Sequence, residues 1–220
     1  MFININELIN QTFFTISHIF LLDLFLLFLF GFKTRWFQLH ALINFYICYL
    51  VFDDLLFILN DPLTSINQYG SRKPGYYAIS LHIYHIIAFK KLTNMDYMHH
   101  ILSVFIGGIP SHIFYDSKLL NFGYFFGCGL PGGITYILLI LVKNNKINKL
   151  TEKKITSYLN QYIRSPGILA FAFYEYIRYR SNIYDDINKY ISINIILSCI
   201  WNSCYFNYDS IYNYAKYLKY

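Results

Sequence analysis

Residues 94–105 read NMDYMHHILSVF, two adjacent histidines with an aspartate three and four positions before them, set in an apolar stretch. Adjacent helix positions point about 100° apart, so His99 and His100 must face different neighbours. Asp96 lies one turn earlier, within reach of one imidazole, whose tautomer it would fix. A second group, SLHIYHIIAF, places His82 and His85 three apart on one helix face. Carboxylates punctuate two further apolar runs: Asp23 in HIFLLDLFLLF, and Asp53 with Asp54 in YLVFDDLLFIL. An ionisable group at bilayer depth costs roughly 2.5–3.5 kcal/mol on insertion scales. Such groups persist when they are paired, line a wet cavity or do chemistry. His99, His100 and Asp53 are the expected catalytic set, an imidazole polarised by a carboxylate and acting as base or nucleophile on an acyl group delivered from the membrane. His82 and His85 are expected to bind substrate. His18, His40 and His112 stand alone and read as hydrogen-bond partners between helices.

The elements that must position these groups are membrane helices. The chain has 220 residues, 56% hydrophobic and only 14% charged, with a mean hydropathy of +0.35, too apolar for an ordinary soluble domain. The expected fold is all-α, a polytopic transmembrane bundle of about six or seven spans. Apolar runs place them near 13–32, 38–60, 76–89, 97–115, 119–142, 166–179 and 190–206. The 23 Tyr and 21 Phe accompany an excess of Ile, Asn and Lys. AT-rich coding sequence produces that bias, so aromatic stripes carry no functional signal. Cys48, Cys128, Cys199 and Cys204 are scattered through apolar runs and read as small buried hydrophobes.

The net charge of +6 does not point to nucleic acid, because the basic residues lie in short loops between apolar runs. With seven spans, Lys33 and Arg35, Lys90 and Lys91, the 143–154 lysines and Lys216 with Lys219 all fall on one side. The positive-inside rule makes that side cytosolic, with the N-terminus lumenal and the C-terminus cytosolic. Arg72 and Lys73 run against the rule, as do Arg178 and Arg180. The Asn10-Gln11-Thr12 sequon falls on the outer side. The first apolar run lacks a basic leader and is long enough to span, which reads as an anchor and not a cleaved signal. Residues 155–163 have apolar positions at helical spacing opposite Lys153, Lys154 and Asn160, the pattern of an amphipathic helix on the cytosolic surface. The expected organisation is an N-terminal anchoring helix over 1–37, a transmembrane domain over 38–206 and a cytosolic tail over 207–220.

Three features in order resemble the TLC-domain family. CYLVFDDLLFIL resembles its aspartate-bearing span, MDYMHHILSVF its double-histidine span and FGYFFGCGLPGGITYILLILV its following proline-containing span. That family includes ceramide synthases, translocation-associated membrane proteins and smaller lipid-regulating members. The resemblance covers roughly 38–206 and implies a TLC-like fold, residence in the endoplasmic reticulum and lipid metabolism, sphingolipid metabolism included. It matches Asp53 to the family aspartate, and His99 and His100 to the double histidine implicated in acyl transfer from acyl-CoA. Ser103 stands where the synthases usually carry threonine, and Pro131 matches the proline of the later span. Asp96, Ser103 and Pro131 are accordingly expected near the substrate with His82 and His85. GLPGG replaces the acidic and Ser/Thr residues usual around that proline, and the second aspartate cluster of the synthases is not evident.

Three functions stay open from the sequence. One is an acyltransferase with acyl-CoA as co-substrate and no tightly bound cofactor. A second is a non-catalytic lipid-binding or regulatory protein. The third is a metal-dependent lipid oxidase. Its HxxH and HH groups resemble the histidine boxes of membrane di-iron desaturases, which need more histidines than the seven present. No metal is expected in the first two. Membrane lipids and a second copy of the chain are the expected partners, and nucleic acid is not.

Overall fold

The computed structural model describes residues 4–89, 92, 94–114, 116–181 and 186–218, without the side chains of Met95, Asp96, Ser103 and 186–188. All the regular structure among them is helical. Helix α1 spans Ile5–Phe30, capped by the Asn4 side chain, which accepts from the Asn6 amide, and closed by Gly31 at φ 69°. Then follow α2 (Arg35–Asn60), a single turn α3 (Pro62–Ser65) and α4 (Lys73–Ala88). Helix α5 covers 94–114 and α6 covers Lys118–Lys143, the latter capped by the Ser117 hydroxyl. Helix α7 covers 149–180 behind an Asn148 cap, and α8 is Asp186–Leu218. Three of these, α1, α2 and α6, are long and apolar enough to cross a membrane. Each of the seven spans expected from the sequence overlaps a helix, with residues 31, 32 and 89 beyond the helix ends and 115 outside the described residues, but α4 has only 16 residues, about 24 Å at 1.5 Å each, against the ~30 Å of a hydrocarbon core.

Side-chain pairings set the helix directions. Asn121 on α6 donates to Asp54 near the end of α2, while further along α6 Gly129 meets Cys48, and Gly132 and Gly133 meet Asn44 and Phe45, earlier on α2. Helices α2 and α6 are therefore antiparallel. The same logic joins α7 to α8, where Ser165 exchanges hydrogen bonds with Ser203 while Glu175 accepts from Ser192. Glycines let these helices approach: a Cβ on Gly132 would lie 2.5 Å from the Asn44 amide, and one on Gly167 would strike the Phe126 ring. One core cluster joins α1, α2 and α4 through Ile19, Leu26, Leu39, Ile47 and Leu81. A second, with Leu55, Leu119, Phe122, Phe171 and Ile195, joins α2, α6, α7 and α8.

Three helices widen by one residue per turn, each just before a proline. The stretches Ile101–Gly108, Phe125–Gly129 and Asn160–Arg164 are π-helical, and Pro110, Pro131 and Pro166 follow them. In each, the residue before the proline donates five residues back: Ile109 to Val104, Leu130 to Phe125 and Ser165 to Asn160. The cause is steric, since a proline lacks an N–H and its ring crowds the carbonyl four residues earlier. Two of the carbonyls so released take side-chain donors from other helices. Asn194 Nδ2 on α8 donates to Ile106 O at 2.7 Å, and Arg164 Nε on α7 to Gly127 O at 3.3 Å. The first two wide turns thereby recruit polar cross-links.

One expectation is corrected. Residues 155–163 do not form a separate surface helix: they run unbroken through the third π turn into the bundle, with Ser157, Leu159 and Asn160 buried and α8 packed alongside. Helix α1 contributes Ile19 and Leu26 to the first core cluster. The last helix continues past 206 to Leu218. The basic residues that run against the positive-inside rule are partly neutralised: Arg72 pairs with Asp116 at 3.3 Å and donates to His112 O, and Arg178 lies 3.9 Å from Glu175. The four cysteines are free thiols.

Candidate functional site

A cavity of about 850 Å³ lies between α2, α4, α5, α6, α7 and α8. All three π turns contribute to its wall, through Gly107, Gly127 and Asn160 among others. Towards the end of the bundle where α6 begins it is apolar, with Leu120, Ile168, Phe171 and Ile195. It reaches Lys153, Asp209 and Asn213 at the opposite end, near the basic 143–154 segment.

Five of the seven histidines line this space: His40, His82, His85, His99 and His100. They form two hydrogen-bonded pairs. His82 Nε2 lies 3.2 Å from His99 Nε2, and His100 Nε2 lies 3.1 Å from His85 Nδ1. The pairs touch one another, with the His100 ring 5.1 Å from that of His82 and 5.8 Å from that of His99. Trp36 stacks on His85 at 3.5 Å and meets His40 edge-on at 3.4 Å, bracing the group from α2.

One tautomer follows from chemistry alone. Ala78 O accepts at 2.7 Å from His82 Nδ1, which must therefore carry a proton. With His82 neutral, its Nε2 presents a lone pair, and the hydrogen in the His82–His99 contact belongs to His99. His82 is thus oriented by its own helix backbone and placed to take a proton from His99. Metal ligation needs lone pairs converging on one point, whereas these nitrogens face each other across hydrogen bonds. No group of three or more His, Cys, Asp or Glu among the described residues is arranged to hold a metal ion.

The four histidines singled out by spacing are brought together, and His40, read as a lone packing residue, joins them. The one available signal for it was the polar stripe Trp36, His40, Asn44 at four-residue intervals on α2. Asp53 is not brought to them. It is exposed on α2 and absent from the cavity wall, about 20 Å along the helix from His40 at 1.5 Å per residue. Its neighbour Asp54 is engaged instead by Asn121 at 2.7 Å and Lys118 at 3.9 Å. Pro131 lines the cavity at its π turn. Asp96 and Ser103 belong to α5, and their side chains lie outside the described residues. Of the adjacent pair, His99 is the more open, facing Phe206 of α8, while His100 is only 3% exposed and packed between His82 and His85. Both rings line the cavity.

Arg164 was not anticipated. Its guanidinium lies over Phe206 at 4.8 Å, donates through Nη2 to Asn202 at 2.8 Å and lines the cavity beside the histidines. Asp23, by contrast, is accounted for structurally. It is wholly buried and accepts from Arg35, through Nε at 2.5 Å and through Nη2, and from Tyr84 OH at 2.5 Å.

Compared with known proteins, the chain matches no family model, no curated protein and no solved structure.

Proposed function

We propose that the chain is a polytopic membrane protein of lipid metabolism, TLC-like in kind, whose cavity takes an acyl lipid and whose imidazoles assist acyl transfer from acyl-CoA. The observation that carries this reading is the joining of an apolar recess to a paired-imidazole site in one cavity of a size usual for ligand pockets. In the proposed step the oxygen or nitrogen of an acceptor lipid attacks the thioester carbon. The His99–His82 pair takes the acceptor's proton, the carbon–sulfur bond breaks and the departing thiolate receives that proton. A hydrogen-bonded second imidazole makes His99 a better proton acceptor than it would be alone, the role otherwise expected of Asp53. His100, His85 and Trp36 hold the pair in place. In this reading α4, α5, α7 and α8 cross the membrane together with α1, α2 and α6, in the endoplasmic reticulum, with the N-terminus lumenal and the basic 143–154 segment cytosolic.

The test is a lipid profile of cells expressing the protein beside His99→Ala and His100→Ala. His99→Ala is expected to erase any change in acyl lipids at unaltered protein level, and His100→Ala to lower the amount of folded protein. Equal losses from both that track protein level refute the catalytic reading. Unchanged lipids with wild-type protein, in cells where lipid still co-purifies with it, would favour a lipid-binding or regulatory role.

A further inference from the structure

The histidine site leaves one charged cavity group without a role. Arg164 carries a full positive charge in the interior of a helical bundle, and no carboxylate contacts it among the described residues. Its partners are neutral: the Gly127 carbonyl, the Asn202 amide oxygen and the Phe206 face. Its third nitrogen, Nη1, is shut away from solvent with no hydrogen-bond partner. Asp23, Asp54 and Glu175 each answer a cation elsewhere in the fold, so the lack at Arg164 is local. A buried cation held in place by neutral groups is costly unless an anion completes it, and arginine's planar fork suits carboxylate and phosphate oxygens.

Position narrows the anion. Arg164 sits at the third π turn, one helical turn before Ile168 and two before Phe171, which lead into the apolar recess. On its other side, Phe206 is shared with His99, whose ring centroid is 5.9 Å away. A group held by the Arg164 guanidinium, which lines the cavity, therefore has an apolar recess on one side and the imidazole pair on the other.

We propose that Arg164 is the headgroup receptor for a single-chain anionic lipid, whose tail fills the Leu120–Ile168–Phe171–Ile195 recess. This rests on the cavity reading above and names the ligand class of that site, but it requires no turnover. The carboxylate of a fatty acid and a phosphate monoester share the chemistry, and three probes of equal chain length separate them: palmitate, hexadecyl phosphate and hexadecanol.

Purified protein in nanodiscs is titrated with each radiolabelled probe. Wild type is expected to bind at least one anionic probe tenfold or more tighter than hexadecanol, and the better anion identifies the head. Arg164→Gln is expected to lose that preference while still binding hexadecanol as wild type does, and Arg164→Lys to keep part of it. Wild-type protein that binds all three probes alike overturns the proposal, and this measurement needs no variant. Undiminished anion preference in Arg164→Gln overturns it equally. Anion binding that depends on Arg164, found beside an unchanged lipid profile in cells, would uphold the receptor and remove the acyltransferase.

Discussion

Replacing Arg35 by Met should destabilise the protein by about 3 kcal/mol, although Arg35 stands at the very start of α2. Its partner Asp23 is 0% exposed, and Arg35 supplies two of the three hydrogen bonds that the carboxylate receives. Removing one member of a buried pair costs about 3–5 kcal/mol, because a charge is left without compensation. The Arg35 side chain is 19% exposed and so already partly solvated, which places the loss at the lower end. At about 2–4 °C per kcal/mol for a chain of this size, the midpoint should fall by roughly 6–12 °C. The assay is thermal unfolding of detergent-solubilised protein, read by the fraction that remains monodisperse on size exclusion. A stronger form uses the Tyr84→Phe background, so that no hydroxyl is orphaned, and adds Asp23→Leu to Arg35→Met. Apolar replacement of both partners should recover most of the loss, since a well-packed pair of that volume has no desolvation cost to offset. A loss below about 1 kcal/mol for Arg35→Met, or a double variant as damaged as the sum of the singles, would show that the triad does not clamp α1, α2 and α4 together.

Two shorter tests probe the turns and the topology. Asn194→Leu strips the donor from the carbonyl that Pro110 releases and, the bond being exposed, should cost about 0.5–1.5 kcal/mol in the same thermal assay, while Pro110→Ala in that background should return part of it by giving Ile106 O a backbone partner. A glycosylation acceptor placed in the 143–149 segment should stay unmodified in microsomes; its modification would invert the proposed orientation.

Much of the helical layout was legible because apolar length is a strong signal, and each expected span overlaps a helix. The axial depth of a residue along its helix was legible too, and it should have separated Asp53, towards the end of its expected span, from His99 and His100 at the start of theirs. The order of motifs in a resemblance carries no such distance. Helix phase was not legible: which of His99 and His100 is the more enclosed turns on about 100° of rotation, and packing places His100 between His82 and His85 and His99 against Phe206. Arg164 was missed for a different reason. Pro166 reads as a helix start, so the residues before it looked like the end of a surface element. The π turn at Asn160–Arg164 instead carries the helix through the proline and delivers Arg164 to the interior.

The same turns explain why a cavity exists in a bundle that elsewhere packs through glycine. A Cβ on Gly132 or Gly167 would collide with a neighbouring helix, but one on Gly127 would meet nothing within 4 Å. Gly127 lies in the second π turn and faces open space, with its carbonyl released by Pro131. A wide turn bulges a helix and leaves an acceptor unsatisfied, and a buried acceptor must find a donor. Part of the cavity's polarity is therefore a consequence of the turns that shape it. Arg164 Nε is consumed in this way by Gly127 O, and Nη2 is held by Asn202. Structural need accounts for those two nitrogens and not for Nη1, which is why that atom, and not the polarity of the wall in general, argues for a ligand.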